Sequence, residues 1–245
     1  MTDTPQEAAR LVLIRHASSA GTTPEVLLVR RYANAACVPE MYAFPGGPLD
    51  SSDTIPSALA LSRTFTAAEA TFRLHDVEPA FYALSLWIAA LRHTFEQTGI
   101  LLARYGDGRL WQADAHDICR LVQERRAMQQ GRTNFPNMMH DLERALATDL
   151  LIYFAHGIMP ETSSGRVSTR FFLACVPSSV SAVPDQHDGV EQFWVTPEEA
   201  IQRHGHGTLL MTTVTANILQ RLRSFPSAMG ALEHIRRQPV ETLLP

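Results

Sequence analysis

Short apolar runs open the chain. Leu11 to Arg15 (LVLIR) and Val26 to Arg30 (VLLVR), joined by a segment rich in Ser, Gly, Thr and Pro, predict a β-hairpin. Tyr42 to Asp50 (YAFPGGPLD) carries Pro-Gly-Gly at its centre and predicts a loop. Helical patterns follow: an Ala-rich stretch from Ser57 to His75, a longer one from Glu78 to Arg104 interrupted at Gly99, and two more over Asp114 to Met128 and Met138 to Leu146. Leu150 to Ala155, Arg170 to Val176 and Gln192 to Val195 predict strands. Thr196-Pro197-Glu198-Glu199 starts a helix with proline in its first turn, and a last helix is expected over Met211 to Phe225. Strands alternating with helices predict an α/β fold with a mixed sheet.

The helix around residues 84 to 98 has a further pattern. At about 100° per residue, Leu84, Trp87, Ile88, Leu91 and Phe95 share one stripe, the face expected to pack on the sheet. Arg92, His93, Glu96 and Gln97 gather on the other side, in the last two turns before Gly99, a helix C-cap. Taken alone, such a polar group is most simply a solvated face.

Composition narrows the classes. The 245 residues are 45% hydrophobic and 19% charged, and suffice for one core with appended helices; one domain spanning 1–245 is expected. A net charge of −4 provides no basic footprint, so no nucleic-acid partner is expected. No apolar run of about 20 residues predicts a membrane span, and the polar start, Met1 to Arg10, does not look like a secretory signal. A cytoplasmic protein is expected. Cys37, Cys119 and Cys175 are odd in number and widely spaced, and are expected to be buried small apolar residues. All 21 basic residues are arginine, which excludes a phosphate-loop or Schiff-base lysine.

Phe44-Pro45-Gly46-Gly47, the Asp50-x-x-Asp53 pair, and Leu91-Arg92-His93-Thr94-Phe95-Glu96-Gln97-Thr98-Gly99-Ile100 together resemble the two halves of a Nudix box. Gly47 matches the family's glycine and Asp53 its first acid; Arg92, Glu96, Gly99 and Ile100 match the second half. The family's seven-residue gap is replaced by 38 residues, Thr54 to Leu91. The peroxisomal coenzyme A diphosphatases and their bacterial relatives are similar in carrying such an insertion. Further blocks resemble that branch: Tyr153 to His156, Met159 to Glu161, Arg166 to Ala174, and Pro184 to Ala200.

The resemblance implies a Nudix-type α/β/α sandwich with a largely helical insertion at about 54–80 and extra helices at about 112–148. It also implies a metal-dependent hydrolase of a nucleoside diphosphate linked to another moiety, coenzyme A or its acyl derivatives among them. Divalent metals neutralise phosphoryl oxygens and activate water, and carboxylates at i, i+3 and i+4 converge on one ion. By the resemblance, Glu96, Arg92 and Glu191 are catalytic candidates. Gly47, Glu96, Gln97, His93 and Asp53 are metal-site candidates, and Arg31, Phe44 and Arg170 are candidates for substrate binding. The expected cofactor is Mg²⁺ or Mn²⁺ and the expected partner a small nucleotide-type substrate, with a homodimer left open by the apolar tail Val240 to Pro245.

This sequence departs from the pattern at His93 and Gln97, where the family has glutamates. Losing two negative charges weakens the grip on a hard cation, so weak or absent turnover and a Nudix-derived nucleotide-binding module form the alternative. Two local motifs compete. Arg15-His16 after the first strand resembles a histidine phosphatase start, with His156-Gly157 as its second half, but leaves both box segments unexplained. His204-Gly205-His206 lacks a third ligand nearby and is expected to be a plain loop.

Overall fold

The computed structural model describes residues 5–16, 23–31, 41–74, 76–77, 79–162, 165–180 and 190–243. Cys37 and the Pro184–Asp188 segment lie outside the described residues, as do the side chains of Arg31 and of Met159 to Glu161.

In chain order the elements are β1 (Gln6–His16), β2 (Pro24–Arg31), β3 (Tyr42–Ala43), β4 (Gly46–Pro48), a 3₁₀ turn (Ser51–Asp53), α1 (Pro56–Leu59), α2 (Ala67–Arg73) and α3 (Ala80–Thr98). Then come β5 (Ala103–Arg104), α4 (Ala115–Gln129), α5 (Phe135–Asp141), β6 (Ala145–Leu146), β7 (Ile152–Thr162) and β8 (Gly165–Cys175). The last are β9 (Val190–Val195), α6 (Pro197–Gly205), α7 (Thr213–Leu222), α8 (Ala228–Arg236) and β10 (Glu241–Leu243).

The main sheet runs β10-β7-β8-β1-β2-β3, with β4 beside β1 and β9 beside β2. It is mixed, as expected: β1 and β8 are parallel, whereas β1–β2, β1–β4 and β7–β8 are antiparallel. β1 is split along its length. Ala8–Arg10 pair with β4 while Ile14–His16 pair with β2, so the Gly-Gly segment is held in the centre of the sheet.

Alternation in β1 explains the layers. Ala9, Leu11 and Leu13 join the core under α3, and Val12 and Ile14 join the core under α7 and α8. Strand side chains point to opposite faces, so burying both sets requires helices on both sides. The result is an α/β/α sandwich. On the first face Trp87 of α3 packs against Phe172 at 4.6 Å and Phe65 at 5.0 Å between ring centroids.

Several elements differ from expectation. Tyr42 to Asp50 contributes two short strands, because Gly46 and Gly47 pair with Arg10 and Ala9. The Ala-rich stretch breaks into α1 and α2, since Thr66 and Glu69 form a capping box that starts a new helix. Leu61, Phe65, Ala70, Leu74 and Val77 from this insertion pack into the α3 core. The Met138–Leu146 helix is replaced by α5 and β6; Glu143, at φ 55°, breaks the helix.

α8 and β10 were not anticipated. β10 pairs with β7 and buries Leu243, so Glu241–Leu243 of the tail form an edge strand of the main sheet. Cys119 is exposed on α4 and Cys175 half-buried, contrary to the expectation of fully buried thiols. Among the described residues no helix is long and apolar enough to cross a membrane.

Trp87→Ala is expected to cost roughly 3–5 kcal/mol, the usual range for deleting a fully buried large aromatic. A lowered midpoint in urea unfolding checks it.

Candidate active site

The C-terminal half of α3 meets the Gly-Gly turn. Between Ala83 and Thr98 only Glu96 escapes burial, so the polar side of this helix is not the solvated face its pattern suggested. The loop from Phe44 to Asp53 covers it. Gly99 ends the helix in the left-handed conformation at φ 73°, with its N–H donating to the Phe95 carbonyl at 2.8 Å.

Arg92 sits at the centre. Its Nε donates to Asp53 Oδ1 at 2.7 Å and its Nη2 to Oδ2 at 2.8 Å, a forked bridge between groups both largely cut off from solvent. Its Nη1 donates to both oxygens of Glu96 at 3.0 and 3.2 Å. Burial disfavours the guanidinium charge, but the Asp53 hydrogen bonds and the two carboxylates outweigh that and raise its pKa. Asp53 also accepts from the Asp50 amide at 2.9 Å, while Asp50 caps the 3₁₀ turn through the Ser52 amide. The bond to Ser52 holds the Asp50 carboxyl below its ordinary range.

His93 and Gln97, standing where glutamates were expected, serve the loop. His93 Nε2 donates to the Pro48 carbonyl at 2.9 Å, and its Nδ1 lies 3.3 Å from Glu96 Oε2. Gly47 is forced by this ring, since a Cβ there would stand 2.7 Å from it. Gln97 grips Gly46 twice: its Oε1 accepts from the Gly46 amide at 3.0 Å and its Nε2 donates to the Gly46 carbonyl at 2.9 Å. Gly46 itself is at φ 152°, and a Cβ there would fall 2.3 Å from the Ala9 carbonyl oxygen. Both glycines are steric necessities.

Glu96 differs from its neighbours, with 31% of its side chain exposed. Burial pushes its pKa up, yet the His93 hydrogen bond and the Arg92 and His93 charges more than offset it, so its pKa lies below the ordinary carboxylate value. Its partial exposure leaves one edge of the carboxylate approachable, and the exposed Asp50 at the rim is approachable too.

The remaining candidates lie elsewhere. Glu191 bonds to Arg30 and accepts from the Tyr42 hydroxyl at 3.0 Å, not from α3. Phe44 is fully buried in the α7–α8 core, so its ring is not offered to a substrate; its carbonyl accepts from Arg10 at 2.7 Å. Arg170 is buried and committed to Asp76 at 2.9 Å and Glu7 at 3.5 Å, with Tyr153 beside it at 3.4 Å. Arg31 ends β2, and its side chain is outside the described residues.

Of the competing motifs, Arg15 pairs with Glu25 at 2.9 Å and stacks on Trp194 at 4.2 Å, while His156 bonds to Ser168 at 3.0 Å. His204 Nδ1 donates to the Leu209 carbonyl at 3.1 Å, so the motif closes a loop.

Sequence reasoning missed the Pro48 carbonyl, which His93 uses, and Glu7. The Glu7 carboxyl is pushed up by burial, though Arg170 and Ser168 pull it down. Nothing in the pattern around Glu7 marks it, because its partners come from distant strands.

Comparison with known proteins identifies the family. The profile of the NUDT19 Nudix domain matches residues 6–222. The chain belongs to the NUDT19 Nudix domain family. It is 26% identical over 206 residues to the acyl-coenzyme A diphosphatase NUDT19 of Xenopus laevis, covering 73% of this chain and 54% of that one. It is 25% identical over 234 residues to the protein of the same description from Gallus gallus, covering 83% and 62%. The chain thus spans little more than half the length of these relatives. A Nudix hydrolase structure from Alicyclobacillus acidocaldarius shares the fold with a TM-score of 0.67 and 24% identity, covering 95% of this chain and 97% of that one.

Nudix hydrolases generally use divalent metals, so the donor set of the box is the relevant test. A hard cation such as Mg²⁺ is held by charged oxygens near octahedral geometry. Here Asp53 is taken by Arg92, Gln97 by Gly46, and His93 by Pro48 and Glu96, while Glu96 is bonded to Arg92 through both oxygens and is only partly exposed. As arranged, these residues do not fit the expected Mg²⁺ or Mn²⁺ site. Asp114, His116 and Asp117 do bring ligand atoms within 4.8 Å of one another, but Asp114 and Asp117 form the capping box of α4.

Gln97→Glu is expected to destabilise the protein by roughly 1–3 kcal/mol, because a carboxylate cannot donate to the Gly46 carbonyl and leaves it facing a buried oxygen. Thermal unfolding of the variant checks this.

Proposed function

We propose that the chain is a pyrophosphohydrolase-type Nudix domain acting on a coenzyme A-type nucleotide, with Glu96 as the residue on which turnover depends. The match across residues 6–222 carries this reading. The relatives described as acyl-coenzyme A diphosphatases bring forward coenzyme A and its acyl derivatives as the substrate class. Family supports this assignment where fold alone would not, since one fold hosts many activities.

Hydrolysis of the diphosphate joins a water oxygen to phosphorus and breaks the bridging P–O bond. Glu96, kept ionised beside Arg92 and His93 and partly exposed, suits orienting that water and taking its proton. Arg92 holds Glu96 in place and does not itself reach a ligand, because its fork is spent on Asp53. The loss of charge at His93 and Gln97 supports slow turnover.

One observation favours a second reading, a nucleotide-binding module without hydrolysis. Asp53, Arg92, His93 and Gln97 satisfy one another and the loop backbone, an arrangement that stabilises a turn without needing a ligand.

Chromatographic separation of products after incubation with coenzyme A and acyl-coenzyme A, with Mg²⁺ or Mn²⁺ present, tests both. Slow release of phosphopantetheine, or its acyl derivative, together with adenosine 3′,5′-bisphosphate is expected, reduced by about 10²-fold or more in Glu96→Gln. Unchanged turnover in Glu96→Gln contradicts the role given to this residue. Binding of coenzyme A with no product supports the second reading instead.

A further inference from the structure

A cavity of about 320 Å³ opens beyond the C-terminal end of α3, between residues 99–102, α4 and the segment 175–180 that follows β8. Its lining is graded. Ile100, Leu102, Leu121 and Val176 are buried and give it a hydrocarbon floor. Gln112, Ile118 and Ser179 are exposed, so the rim carries an amide and a hydroxyl but no charge. Arg125, buried in α4, is the one charged side chain in the lining among the described residues, and it already has an interaction partner. No Asp or Glu lines the cavity among the described residues. Trp111 lines it too, and its buried indole N–H finds no acceptor among the described residues.

From this gradient we infer a second binding site, for an uncharged aliphatic molecule that ends in one neutral oxygen. Charge decides the class. A charged end brought here loses its water and meets no free counter-charge, since Arg125 is engaged and carboxylates are lacking. A bare hydrocarbon fits the floor but leaves the Trp111 N–H unpaired and the polar rim unused. An alcohol oxygen both accepts and donates, which suits an indole, an amide and a hydroxyl alike. Apolar walls with few polar groups are the usual form of a small-molecule site, and this volume lies at the lower end of that range. At roughly 30 Å³ for each water-sized group, the cavity holds about ten such groups, the size of a primary alcohol of about eight carbons. Removing that chain from water supplies the driving force. The cavity shares Gly99 and Ile100 with the end of the box helix but none of the polar box residues, so the site does not depend on whether the box turns over.

Calorimetric titration of the full chain with 1-octanol, 1-butanol, octanoate and octylamine at neutral pH tests the proposal. Octanol is expected to bind saturably at one site. Butanol is expected to bind about a hundredfold more weakly, as the loss of buried methylenes implies. Octanoate and octylamine keep the chain but carry a charge, and each is expected to bind at least about tenfold more weakly than octanol. Val122→Phe, which fills the cavity, is expected to abolish octanol binding with the circular dichroism spectrum retained. Octanol that fails to saturate the wild-type protein overturns the inference, as does octanoate or octylamine that binds as tightly as octanol. A folded Val122→Phe variant that binds octanol as the wild type does overturns it too. The wild-type comparisons need no substitution, so they decide the matter even where the variant does not fold.

Discussion

The forked bridge from Arg92 to Asp53 is the constraint on which the site depends. The two residues are 39 positions apart, and everything between them, α1, α2 and most of α3, is a detour that the bridge closes. Loop closure costs rise slowly, by about 0.6 kcal/mol for each doubling of length, so a long insertion inside a motif is thermodynamically mild. What the motif needs is that its ends still meet. A buried charge pair is stabilising chiefly in the sense that losing one partner strands the other. That asymmetry locks the turn to the helix.

The sheet prepares the meeting point. β1 gives one half of its edge to β4 and the other to β2, which holds Gly46 and Gly47 beside Ala9 and Arg10 under the last turns of α3. Close packing then leaves no room for side chains at either glycine. Gln97 adds a second clasp by satisfying both backbone groups of Gly46 in a place that water does not reach. At the positions where the family pattern has glutamates, His93 and Gln97 anchor the loop backbone. Glu96 is left as the partly exposed carboxylate of the helix.

Much of this was legible in the sequence. The stripe from Leu84 to Phe95 gave the helix and its buried face, the alternation in Leu11 to Ile14 gave a strand, and Gly99 gave the stop. Phe44 to Asp53 and Leu91 to Ile100 pointed to a shared site. The burial of Arg92, His93 and Gln97 was not legible, because it comes from a loop folding back over a helix, a contact that helical periodicity does not encode. Thr66 and Glu69 carried a readable capping signal that divides the insertion into two helices. The commitment of Arg170 to Asp76 and Glu7, and the docking of Glu241 to Leu243 as an edge strand, are long-range pairings of the same kind.

All of this requires that Arg92 and Asp53 act as one unit holding two distant segments together. A double-mutant cycle with Arg92→Gln and Asp53→Asn, read by chemical denaturation, measures that directly. The account predicts strong non-additivity, a coupling above about 1 kcal/mol, as expected for buried groups in contact. Effects that add within about 0.5 kcal/mol would show that the two residues act independently.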